Sequence, residues 1–316
     1  RSYRVDSATD TIDKFLHWQK GTKRPFFAWL HMADVHTPYS PPEPYSSYYY
    51  DSDKSNPTRN SMTRVWSLLP EHMADHPFFR KWLKNINDLS WIKSQYQGAV
   101  SYVDSEIGRL LDGLENRDLL NKTAIIATSD HGESLGEHDL YFVHSGLYEA
   151  TIRVPLITYF PGLSRKGTDI HEVVELVDIM PTIFDYLDIP YSENIRGRSL
   201  LPLINGHIVD EKIALVEHAG RNQVALTSKR YKYIKHLRDN DMHPVYRFSK
   251  GVEELYDLYK DPTEQINLIA KLSNVKRLFR KHLRNRNKNK VSLKSKQKPL
   301  DRETMAILRS LGYIRK

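Results

Sequence analysis

A chain of 316 residues, 40% apolar and 11% aromatic, is long enough to bury a real core and too apolar to be disordered. Its formal charge is +8, yet Gln265 to Leu300 holds twelve Lys and Arg and no Asp or Glu, so the basic character belongs to one segment and the rest is mildly acidic. Zero cysteines exclude disulfides, thiolate metal sites and a cysteine nucleophile within these residues, and no apolar run reaches the length of a membrane span.

The chain opens at Arg1 without an initiator Met or a signal-like apolar region. We therefore expect an upstream segment, and the compartment stays unknown. Ile12, Phe15 and Leu16 stand at helical spacing, which predicts a short amphipathic helix over Asp10 to Lys20. Pro25 to His31 (PFFAWLH) is apolar enough for a buried strand and runs into a polar loop with Asp34, His36 and Thr37. Prolines 38, 41, 42 and 44 then turn the chain away. Tyr45 to about Trp91 reads as a long irregular excursion, and Ser94 to Leu114 as the strongest helix, with Tyr96, Val100, Val103, Ile107, Leu110, Leu111 and Leu114 as its stripe.

Thr123 to Thr128 is a second apolar strand, and it stops at Ser129-Asp130-His131-Gly132. Glu133, Glu137, His138, Asp139 and His144 follow before a further strand, Val154 to Phe160. We expect another strand over Val173 to Ile179 and a helix from Pro181 to Leu187. Such alternation argues a mostly parallel sheet with helices on both faces, hence an α/β fold. After about Asn205 the pattern changes: Ile213–Glu217, Gln223–Thr227, Tyr231–His236 and Pro244–Phe248 read as a small antiparallel sheet. A helix beginning near Asp261 and carrying Leu278 comes next, then the basic run, expected to be solvated, and a last helix from Arg302 to Leu311. We divide the chain into residues 1–205, the catalytic α/β part, and residues 206–316, a small α+β subdomain.

Two strands thus end in histidine-bearing loops, which is where open α/β sheets place ligands. Asp130 and His131 together offer a carboxylate oxygen and an imidazole nitrogen to a divalent metal, whose remaining ligands must come from elsewhere. His36 and His144 can donate hydrogen bonds to an anionic oxygen or act as general acid. That set suits cleavage of a charged ester at a metal-polarised centre. No G-x-S-x-G elbow, P-loop or G-x-G-x-x-G is present.

PFFAWLHMADVHTPYSPPEPY and SDHGESLGEHDLYFVHSGLYEATIRVPLI resemble two signature segments of the type I sulfatases. ELVDIMPTIFDYLDIP with IRGRSLLPLI, then RYKYIKH, then ELYDLYKDPTEQINL, are similar to later ones, and LRSLGYIRK matches the ending. The resemblance runs in order over nearly the whole chain. It implies an alkaline-phosphatase-like α/β sandwich with a mostly parallel central sheet, helices on both faces, and a small C-terminal antiparallel domain with a helix. It further implies that Asp130 and His131 ligate a divalent metal, Ca²⁺ in most members, with Mn²⁺ or Mg²⁺ as alternatives. His36 corresponds to the His that contacts the ester, and His144 stands where many members have an active-site Lys. His131 replaces the Asn of many sulfatases; Asp-His also occurs in relatives that cleave phosphonate monoesters. The family's formylglycine motif and an acidic metal-binding pair lie upstream of the matching region and are not found in residues 1–316. The expected function is a metal-dependent sulfuric ester hydrolase acting on a sulfated small molecule or saccharide, with this portion inactive alone. Phosphonate or phosphate ester hydrolysis, or a non-catalytic anion-binding protein, are the alternatives. No specific nucleic acid partner is expected.

Overall fold

The computed structural model describes residues 6–163, 167–192, 194–218, 220, 222–240, 243–244 and 246–288, with only the backbone of the last two. The chain divides into two units, whose described residues are 6–62 with 82–120, and 63–81 with 121–288. The expected helix over Arg302 to Leu311 lies outside the described residues.

The first unit is built on two helices. Helix α1 (Ala8–Lys20) begins at a reciprocal cap between Ser7 and Asp10 and buries Ala8, Ile12 and Phe15. It packs on α5 (Leu89–Glu115). Thr9 meets the Tyr102 hydroxyl at 2.6 Å, and Arg109 bridges Asp13 and Glu106, both at 2.6 Å. On α5 the buried face is Ile92, Ala99, Tyr102, Leu110 and Leu114. Val100, expected on the stripe, is 45% exposed, and Tyr102 takes the inward place. Asp88 caps α5 at the Ser90 amide (2.9 Å) and accepts from Tyr50 and Arg59, both at 3.0 Å. Burial opposes its charge, but the hydrogen bonds from Ser90, Arg59 and Tyr50 prevail and hold its pKa at about 2.

Pro25 to His31 forms neither helix nor paired strand, against the sequence expectation. Phe27 and Trp29 are 78% and 79% exposed. An apolar run becomes a strand only when a neighbour supplies its hydrogen bonds, and no strand partner is found for it among the described residues. The irregular stretch after Tyr45 carries three short helices: α2 (Ser61–Leu68), α3 (Glu71–Ala74) and α4 (Pro77–Trp82).

In the second unit, β1 (Ile125–Thr128) pairs with β4 (Leu156–Tyr159), and β2 (Ser134–Leu135) with β3 (Tyr141–Val143), both antiparallel. The segment from Val173 is not a strand. Glu175 and Asp178 cap one another across a 3₁₀ turn that leads into α7 (Ile179–Tyr186), which lies between the short helices α6 (Glu149–Ile152) and α8 (Leu201–Ile204) in the chain. Pro181 therefore sits at the third helical position, still within the turn whose amides have no intrahelical acceptor. Asp178 is fully buried and binds Lys212 Nζ at 2.6 and 2.7 Å.

Four antiparallel strands form the small sheet in the order β5 (Ala214–Glu217), β6 (Gln223–Thr227), β7 (Tyr231–His236) and β8 (Glu253–Asp257). The expected fourth strand at Pro244–Phe248 makes only an isolated bridge between Asn240 and Phe248. Period-two alternation gives this sheet two buried faces. Val224, Leu226, Tyr233 and Leu255 face Phe279 and Leu283 of α9 (Ser273–Lys288). Ala225, Ile234 and Tyr256 face Leu140, Leu147 and Tyr148, beside the loop that follows β1. The helix expected from Asp261 is a series of turns to Leu272, and α9 runs through the start of the basic run instead.

Candidate active site

Strand β1 delivers the chain to Ser129-Asp130-His131-Gly132, and glycine is required at the last position. A Cβ there would lie 2.1 Å from the Ala150 carbonyl oxygen, because the Gly132 amide donates to Thr151 at 2.8 Å. The Ser129 hydroxyl donates to the His131 carbonyl (2.6 Å), and Asp130 Oδ1 accepts the His131 amide (3.1 Å). His131 Nδ1 lies 2.9 Å from the Gly132 carbonyl. A carbonyl can only accept, so the proton is on Nδ1 and Nε2 keeps its lone pair. That Nε2 stands 3.8 Å from Asp130 Oδ1. A carboxylate oxygen and an imidazole lone pair this close fit two ligand positions of one divalent cation, with a carbonyl orienting the imidazole from behind.

His144 arrives from β3. Its ring centroid is 4.0 Å from that of His131. Its Nδ1 lies 3.4 Å from the Gly132 carbonyl and 3.5 Å from Glu133 Oε1. Glu133, with a side chain only 4% exposed, has no role in the sequence reading beyond membership of the loop. The signal was its position directly after Asp-His-Gly, where a carboxylate can be buried only if it meets a donor or a cation.

What holds the loop is the polar half of the small sheet. Lys232, 0% exposed, binds Glu149 at 2.6 Å and Glu264 at 2.8 Å, and Glu264 also accepts the Glu149 amide at 2.7 Å. Burial raises the Glu264 pKa despite Lys232. Tyr148 donates to Glu254 (3.0 Å), which also accepts from Tyr256 and meets His236 at 2.6 Å. Burial opposes the Glu254 charge, but these partners, His236 foremost, lower its pKa. His138, at φ 53°, stacks on Tyr148 at 3.6 Å, and burial lowers its pKa.

Of the sequence-predicted residues, Asp130, His131 and His144 belong to the second unit and lie together. His36 belongs to the first unit, where its amide bonds the Ala33 carbonyl at 3.0 Å and its Nδ1 the Thr37 carbonyl at 2.9 Å. The same carbonyl argument leaves its Nε2 with a lone pair.

The Sulfatase family model matches residues 2–189, and the model for the C-terminal region of N-sulphoglucosamine sulphohydrolase matches 136–289. An arylsulfatase of Clostridium perfringens is 30% identical over 254 residues, covering 79% of this chain and 50% of its own length. The chain spans about half the length of the curated relatives it matches. The phosphonate monoester hydrolase of Agrobacterium radiobacter superposes with a TM-score of 0.66 at 23% identity, over 89% of this chain and 61% of that one. A structure in complex with its substrate D-glucosamine-2-N,6-O-disulfate superposes with a TM-score of 0.56 at 20% identity, over 93% and 72%. At such identities the likeness is one of fold, the alkaline-phosphatase-like α/β architecture with its small antiparallel sheet. A family model covering more than half of the chain, over the loop that carries Asp130, His131 and His144, settles its kinship: the chain belongs to the sulfatase family.

Proposed function

We propose that the protein carrying this chain hydrolyses a sulfate monoester, with Asp130 and His131 as ligands of a divalent cation and with His36 and His144 as its catalytic histidines. The observation that supports this most is the Asp130–His131 pair, whose carboxylate oxygen and imidazole Nε2 lie 3.8 Å apart at the end of β1. When bound, the cation would polarise the ester oxygens. Ca²⁺ is the expected ion by family, with Mn²⁺ or Mg²⁺ as alternatives.

The chain's own residues supply the rest. The Gly132 carbonyl orients the His131 ring through Nδ1, so in the neutral imidazole the lone pair is on Nε2. His144 Nδ1 lies 3.4 Å from the Gly132 carbonyl and 3.5 Å from Glu133, so Nε2 is the ring atom offered to the ester, accepting a proton as the neutral imidazole and giving one only as the imidazolium. His36 Nδ1 likewise faces a carbonyl, so in its neutral form Nε2 is the acceptor of that ring. We read residues 1–205 as the part bearing this chemistry and 206–316 as the subdomain bracing the loop. A sulfated saccharide or small molecule is the proposed substrate; the fold neighbour solved with a disulfated glucosamine supports the saccharide.

The test is a protein extended through its native upstream segment and assayed on an aryl sulfate. Chelation should abolish turnover and added Ca²⁺ restore it. His144→Ala should lower kcat by roughly 10²- to 10⁴-fold, and Asp130→Ala should raise the metal concentration required. Turnover indifferent to Asp130→Ala would overturn the assignment. A second reading, phosphonate or phosphate ester hydrolysis, is favoured by the Asp-His pair and the phosphonate monoester hydrolase fold. It would be preferred if an aryl phosphonate monoester gave the higher kcat/KM.

A further inference from the structure

Helix α9 is amphipathic in an uncommon sense, because its polar face is of one sign. Ser273 to Lys288 contains no acidic residue. At 100° per residue, Arg277, Arg280, Lys281 and Arg284 fall within one arc of about 100°. All four are exposed. Arg280 is tied down by Glu253 of β8, while Arg277, Lys281 and Arg284 have no carboxylate partner among the described residues. The stripe is held rigidly. Phe279 stacks on Tyr233 with ring centroids 5.9 Å apart and planes 5° from parallel, and Leu283 is buried on the same sheet face.

We propose that this stripe is a docking surface for a sulfated polysaccharide, separate from the candidate active site. Three cations repeated along one helix face, with no counter-charge, repel one another unless an anionic chain lies along them. The apolar face of α9 is already spent on the small sheet, so it is not available to enter a bilayer as an interfacial amphipathic helix does. No aromatic side chain stands in the exposed arc, so it lacks the platforms on which unpaired bases stack. Guanidinium forks on a fixed scaffold suit the oxygens of a linear polysulfate. The choice of polymer rests on the sulfate-ester reading above. The surface itself rests on the geometry of α9.

The experiment compares the full chain with the triple variant Arg277→Gln/Lys281→Gln/Arg284→Gln, using heparin as the polyanion. All three positions are exposed, so the fold should persist, as circular dichroism would verify. Affinity at low salt should fall on the order of 100-fold in the triple variant. Adding salt should weaken binding by the wild-type chain. The charge-preserving Arg277→Lys/Arg284→Lys should lose less affinity than the triple variant, keeping the charge but not the guanidinium forks. Wild-type affinity in the triple variant would overturn the proposal. So would duplex DNA of matched charge binding as tightly as heparin, or anionic vesicles competing heparin away. Binding lost in the triple variant of a protein that turns over no sulfate ester would leave the surface standing and remove the function. Turnover together with undiminished heparin binding by the triple variant would do the reverse.

Discussion

At the scale of single residues the chain spends its buried charges where they organise backbone. Asp88 is 6% exposed and meets the Ser90 amide, the Tyr50 hydroxyl and the Arg59 guanidinium at once. Its folded pKa of about 2 lies below the ordinary 3.8. A depressed carboxylate contributes stability that is complete above the unfolded pKa and is lost as the pH falls towards the folded one. Chemical denaturation between pH 5 and pH 2 should therefore show stability declining, most steeply from just above 3.8 down to about 2. Asp88→Asn should flatten that decline and lower stability near neutrality by about 1–2 kcal/mol, because a cap and two charge-assisted bonds are weakened together. An unchanged acid limb in the variant would show that other carboxylates carry it. Asp130 is the contrast. Its side chain is 59% exposed, where a charge contact adds little to stability.

Elements were legible where their pattern was local. Helices α1 and α5 and strands β6 and β7 follow from the period of their own apolar residues, and each lies within a few residues of expectation. Elements whose existence depends on a neighbour were not. Pro25 to His31 has strand composition but gains no ladder, and Glu253–Asp257 becomes the edge strand in place of Pro244–Phe248 because it pairs along β7. The site followed the same division. The adjacency of Asp130 and His131 is written in the sequence, whereas Glu133 against His144 appears only once β3 has returned the chain. Nothing local announces that Lys232 of β7 is the post to which α6 (Glu149–Ile152) is tied. Lys232→Met should destabilise the second unit by about 3–5 kcal/mol, since the buried Glu264 would lose its counter-charge and Glu149 would keep only Arg153 at 4.0 Å. Replacing Glu149 and Glu264 by Gln in the same background should recover part of that loss. A Lys232→Met protein as stable as wild type would mean that the carboxylates are neutralised at little cost.

For the molecule as a whole, the decisive question is whether 316 residues are enough for turnover. Hydrolysis of a sulfate ester needs a nucleophile in line with the departing alcohol, and the formylglycine motif that the family resemblance implies is not found in residues 1–316. On the proposed assignment Asp130 and His131 would supply two ligand positions, while a hard cation takes six or more, so water would fill most of the shell. Well-placed histidines then offer general acid–base help worth on the order of 10²- to 10⁴-fold. Total enzymatic acceleration runs to about 10⁶-fold and far beyond, so that help falls short by orders of magnitude. The 316-residue chain with Ca²⁺ should thus leave an aryl sulfate near its uncatalysed rate, while the same chain joined to its native upstream segment turns it over. Rapid hydrolysis by the short chain, abolished by His36→Ala, would place the nucleophile inside these residues. The search would then begin at the hydroxyl of Ser129, which donates to the His131 carbonyl at 2.6 Å and sits one residue from Asp130.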